Sequence, residues 1–183
     1  MLSFASTPSS GTLSTVTPIL TYDAGPLVIN QSPLGAGLLD KGPRCDTTFP
    51  CDSYALTITL PVGYVAANPG AQARVRLFWT NTDPTNNSPS DYDLYIYKGV
   101  VGNLDGSKQA DWFSAGPPSS NPEVANITPL VDGTSQYTIK IVGFQPTGET
   151  VHVRIELVSG SAGGGFPGFG QADPTTAGVP RGP

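Results

Sequence analysis

The sequence predicts an all-β protein, an antiparallel β-sandwich of jelly-roll type with extended Gly/Pro/Ser-rich termini. Three observations predict it. Apolar residues recur with period two over several short segments, as in strands that bury one face. Turn residues fill the intervals: the 183 residues include 22 glycines and 19 prolines, well above average usage. No window carries a sustained helical period with caps. This length suits one domain with a real core better than two.

Residues 1–18 are dominated by Ser, Thr, Gly and Pro, too polar to order themselves alone, and read as a linker. The sandwich is expected over 19–158. Its first strand candidates, Ile19 to Tyr22 and Leu27 to Ile29, flank the turn signal Asp23-Ala24-Gly25-Pro26. Tyr54, Leu56, Ile58 and Leu60 then share one face, and Val75, Leu77 and Trp79 oppose Arg74 and Arg76. A shorter strand is expected within Val124 to Leu130. Tyr137, Ile139 and Ile141 alternate with Thr138 and Lys140; Val151, Val153, Ile155 and Leu157 alternate with His152, Arg154 and Glu156, and Gly143 to Gly148 turns between these two strands. After Val158 the composition returns to linker chemistry, so 159–183 reads as a tail, with Phe166 and Phe169 as apolar anchors.

The strand with most chemical content is Asp91-Tyr92-Asp93-Leu94-Tyr95-Ile96-Tyr97. Tyr92, Leu94 and Ile96 point one way, while Asp91, Asp93, Tyr95 and Tyr97 point the other. Carboxylates two residues apart on one strand face lie roughly 6 to 7 Å from each other and repel unless a cation or N–H groups compensate. The preceding loop contains Asp83 among many hard oxygen ligands, so Asp83, Asp91 and Asp93 are the candidate calcium ligands. The competing reading makes the aspartates hydrogen-bond acceptors that fix the sandwich. Tyr95 and Tyr97, with Trp112 and Phe113, are candidates for an aromatic platform that takes a sugar or a peptide; cross-strand packing is the alternative.

Cys45 and Cys51 are the only cysteines, with Pro50 between them in a short segment, which points to a disulfide. Closing such a loop contributes roughly 2 kcal/mol, and the bond persists in oxidising compartments. Two unpaired thiols are the alternative; a zinc site lacks ligands, because His152 is the one histidine.

Catalysis finds no constellation. His152 lies on a polar strand face and no Gly-x-Ser-x-Gly elbow accompanies it. Gly163 to Gly168 matches the dinucleotide glycine pattern in letters only, since Pro167 cannot open the required helix. The formal charge of −5, with no run of Lys and Arg, argues against nucleic acid and anionic membranes. No segment is long and apolar enough to span a bilayer, and Met1 to Ser6 lacks a signal-peptide pattern, so a secreted form would have lost its signal.

Cys51 to Ile58, Val75 to Trp79, the Asp91 to Tyr97 strand and Gly133 to Gly143 together resemble the bacterial pre-peptidase C-terminal type of β-sandwich domain. The resemblance covers about Ile19 to Val158, and its most specific element is the Asp-x-Asp-Leu-Tyr strand. It implies a noncatalytic accessory domain of a secreted bacterial protein, of the kind attached to peptidases or sialidase-like propellers, some relatives of which bind calcium, fibrous ligands or glycans. The segment Gly133-Thr134-Ser135-Gln136 departs from the tight Gly-x-Tyr of that family, and the Asp-box repeats of sialidase propellers are absent.

The expectation is therefore an extracellular or cell-surface module, not an enzyme, that binds a glycan or protein. The alternative is a structural subunit that forms a homo-oligomer or fibre through its tails.

Overall fold

In the computed structural model, residues 6–28, 42–80, 90–116 and 121–160 are described. Period-two burial builds nearly all of the structure. The strands are β1 (Ser10–Ser14), β2 (Ile19–Ala24), β3 (Arg44–Cys45), β4 (Asp52–Leu60), β5 (Gln72–Trp79), β6 (Asp91–Lys98), β7 (Leu104–Asp105), β8 (Trp112–Ser114), β9 (Glu123–Ile127), β10 (Gly133–Gln145) and β11 (Val151–Val158), with one short helix, α1 (Tyr64–Ala67), between β4 and β5. A five-stranded sheet has the order β1-β4-β10-β6-β8, a four-stranded sheet the order β2-β11-β5-β9, and β3 pairs with β7 in a small third sheet. The expected all-β sandwich is what the chain forms. Among the described residues no helix is long and apolar enough to cross a membrane.

The two large sheets face each other through one core. Tyr54, Leu56 and Ile58 of β4, Val75, Leu77 and Trp79 of β5, Leu94 and Ile96 of β6, Ile139 and Ile141 of β10, and Val153 and Ile155 of β11 all belong to it, as alternation predicts. Each side chain that leaves water in this way contributes about 1.5–3 kcal/mol. Tyr22 and Tyr54 stack across the two sheets with ring centroids 3.9 Å apart, and the Trp79 indole N–H donates to the Ser90 carbonyl at 3.2 Å.

The fold differs from the sequence reading in three places. First, the stretch read as linker contains β1, which pairs in parallel with β4. Tertiary packing overrides local composition here: Leu13 is fully buried, and the absence of a side chain at Gly11 admits the Tyr54 hydroxyl, which would lie 2.2 Å from a Cβ at that position. Second, Leu27 and Val28 lie outside any strand although Leu27 is buried, and Ile29 falls outside the described residues. Third, β6 and the Tyr137 to Gly143 part of β10 are buried on both faces. The sheet that sequence alternation made one-sided is covered on its outer side by a second layer.

Candidate functional site

That second layer is where the acidic, aromatic face of β6 leads. Asp91, Asp93, Tyr95 and Tyr97 do share the face opposite to Tyr92, Leu94 and Ile96, but all four are buried, at 3%, 3%, 1% and 0% exposure. Tyr95 and Tyr97 form a second small core with Cys45, Leu104, Ala110 and Val142, against which Cys51 and Val101 pack. The two tyrosines are thus not an exposed platform. A β-strand in the middle of a sheet offers an outer face to any loop long enough to cross it, and the apolar area of two phenol rings favours that cover.

The other two residues of the expected platform separate. Phe113 is 55% exposed and stacks over Tyr95 with centroids 6.3 Å apart. Trp112, next in the chain, points the opposite way, edge-on to Tyr137 at 5.8 Å, and its indole N–H donates to the Thr128 carbonyl. Of the four expected ligand-binding residues only Phe113 presents a large exposed surface.

The cover is pinned by Cys45 and Cys51, which are disulfide-bonded with Cα atoms 5.2 Å apart. Cys45 ends β3, whose partner β7 carries Leu104 and Asp105. The Lys108 ammonium sits over the Tyr97 ring, 5.6 Å from its centroid. On the solvent side this layer holds an open depression of about 500 Å3 lined by Asp46, Val100, Val101, Gly102, Asn103, Leu104, Asp105 and Lys108. Its two carboxylates are held below the usual range, Asp46 by the Phe49 backbone N–H and the Arg44 guanidinium, Asp105 by the Ser107 hydroxyl and backbone N–H. Both stay ionised and accept hydrogen bonds.

The buried carboxylates of β6 behave differently. Burial, then the negative charges of Asp91 and Glu123, push Asp93 up to about 8. Burial and Glu123 push Asp91 to about 6. Asp91 Oδ1 is sealed from solvent without a hydrogen-bond partner among the described residues. Glu123 is itself held by the Ser114 hydroxyl and, at 2.9 Å, by the Gly116 N–H. At neutral pH Asp93 therefore carries its proton, which lowers the charge of the group.

Calcium would need six to eight oxygens around it. Among the described residues no three His, Cys, Asp or Glu side chains stand in an arrangement that could hold a metal ion, so Asp91, Asp93 and Glu123 are not a cage by themselves. Asp83, the third expected ligand, lies outside the described residues.

Three buried carboxylates carried no signal in the sequence. Glu149, in the β10–β11 turn, accepts from the hydroxyls of Ser90 and Tyr92 and from the Thr147 N–H. Burial raises its pKa, but these hydrogen bonds outweigh that and leave it lowered. Asp52 is fully buried, accepts from Ser6 and is raised by burial to about 6. Glu123 begins β9. All three stand at strand ends or in turns, where period-two counting does not reach. His152 lies at the surface, its Nδ1 2.7 Å from Asp23.

No protein-family model matches this chain, and no curated protein matches it.

Proposed function

We propose that the chain is a noncatalytic extracellular β-sandwich module that binds a glycan or protein ligand, as the resemblance to pre-peptidase C-terminal domains implies. The observation that carries this reading is the disulfide-pinned layer over β6 and β10. A staple, an extra two-stranded sheet and a second small core support an open depression in which carboxylates, an ammonium and an amide surround the aliphatic side chains of Val100, Val101 and Leu104. Pockets that combine apolar walls with a few convergent polar groups suit hydroxyl-rich ligands or a polar peptide. The disulfide supports the extracellular part of this reading, because such bonds persist in oxidising compartments.

A glycan and protein array probed with the full chain tests the reading. A ligand whose binding weakens in Asp105→Asn or Lys108→Gln is the expected result. An array without any ligand at millimolar strength overturns it.

A second reading, assembly into a fibre or surface layer, is favoured by β1. It is the terminal strand of its sheet, and its far side has no partner strand among the described residues. An open edge takes a strand from another chain. Electron microscopy of the native protein separates a fibre from a monomeric module.

A further inference from the structure

The fold creates a basic surface that the linear sequence hides. The chain carries 9 Lys and Arg residues against 14 Asp and Glu, without a basic run. On the four-stranded sheet, however, Arg74 and Arg76 of β5 and Arg154 of β11 all project from the outer face, since Val75, Leu77, Val153 and Ile155 occupy the inner one. The register sets Arg76 directly opposite Arg154 and Arg74 opposite Glu156. Like charges directly opposed across an antiparallel pair are destabilising, so this pairing asks for a counter-charge.

Among the described residues, Glu156 is the carboxylate that pairs with these guanidiniums. Its carboxylate stands 3.8 Å from Arg74, 3.9 Å from Arg76 and 3.2 Å from Arg154. Three guanidiniums share one carboxylate, and Arg76 Nε is screened from solvent yet makes no hydrogen bond among the described residues. The guanidinium side chains stay accessible, at 29%, 41% and 38% for Arg74, Arg76 and Arg154. Phe78, 41% exposed, lies beside them and meets the His152 ring at 5.5 Å.

We propose that this outer face, centred on Arg74, Arg76 and Arg154, is a binding surface for an acidic polysaccharide, a linear glycan bearing carboxylate or sulfate groups. The inference rests on the binding-module reading and adds a second face to it, on the side of the sandwich opposite the depression. Strand geometry spreads the positive charges over a flat patch, roughly 7 Å apart along β5 and about 5 Å across to β11. A compact anion would engage one end of such a row; repeated anions along a polymer engage all of it. Guanidiniums bind carboxylates and sulfates through paired N–H donors, and the Phe78 ring offers an apolar plane to a sugar ring.

The test measures binding of the full chain to dextran sulfate, polygalacturonate and uncharged dextran over a salt series. A chain with net charge −5 is repelled by polyanions unless a local patch captures them, so preference for the charged polymers, weakening with salt, is expected. The double variant R76Q/R154Q should lose roughly tenfold in affinity, the loss expected for two exposed charge contacts. E156Q, which removes the carboxylate that the three guanidiniums share, should bind more tightly by about threefold. Unchanged binding in R76Q/R154Q, unchanged or weaker binding in E156Q, or tighter binding to polyglutamate or single-stranded DNA than to either acidic glycan overturns the proposal. Should R76Q/R154Q not fold, as its melting curve would show, E156Q alone decides. Asp105→Asn and Lys108→Gln should leave polyanion binding as it was, so failure on this face is distinguishable from failure of the depression reading.

Discussion

Asp93 and Leu94 are neighbours on β6 that face opposite layers, and both are buried. Leu94 projects into the shared core, so Leu94→Ala should cost about 2–5 kcal/mol through lost transfer and the cavity left behind. Urea unfolding measures it, and a change within about 0.5 kcal/mol, the size of an ordinary surface effect, would put Leu94 at the surface. Asp93 poses the opposite problem, a carboxyl that must give up its charge to stay buried beside Asp91 and Glu123. Asparagine has nearly the shape of the protonated acid. Asp93→Asn should therefore be close to neutral at pH 3, where Asp93 is protonated in the folded and unfolded states alike, and stabilising relative to the parent at pH 8, because the unfolded parent has by then gained a charge that burial withholds from the folded one. An identical difference at the two pH values would show that burial does not shift the Asp93 pKa.

Among the elements, β1 depends on one close approach. A Cβ at Gly11 would lie 2.2 Å from the Tyr54 hydroxyl and 3.2 Å from Leu20 Cδ1, and Tyr54 cannot swing aside without breaking its stack on Tyr22. Gly11→Val should destabilise the protein by about 1–3 kcal/mol, the usual cost of overpacking; thermal unfolding with an unchanged midpoint would show that β1 is not held against Tyr54. The same residues mark what the sequence made legible. Long alternating runs such as Tyr54 to Leu60 and Val151 to Leu157 announced both their strands and their buried faces, because one apolar face is enough to specify register. The strand Ser10–Ser14 has a single large apolar residue and derives its order from partners distant in sequence, which composition cannot report. The acidic, aromatic face of β6 was legible as a face, yet its burial was not, since alternation tells which residues share a side and not what covers it. The arginine surface was hidden for a related reason: its residues come from two strands roughly 80 positions apart, and only the β5–β11 register brings them together.

For the whole molecule, buried carboxylates of opposite behaviour set the response to pH. Asp52 and Asp91, raised to about 6, and Asp93, raised to about 8, hold protons in the folded state that the unfolded chain releases near 4. Their contribution is fully present below that value and is lost as the pH rises through 6 to 8. Glu149, lowered by its hydrogen bonds, contributes above its ordinary value of 4.5 and loses that contribution on acidification. The two trends cross near the unfolded carboxyl range, so the melting temperature should peak near about pH 4 and decline toward pH 8. A curve that rises steadily from pH 5 to 8 would show these carboxylates to be ionised and compensated in the fold. Calcium is the compensation that would reverse the slope, because a cation bound only to the folded state stabilises it by mass action and competes with the protons. With Asp93 relieved by its own proton, EDTA should leave the melting curve unchanged at pH 5 and at pH 8. A chelator-induced fall at pH 8, absent at pH 5, would instead assign Asp91 and Asp93 to a bound cation, and loss of that fall in Asp83→Asn would add Asp83 to its ligands.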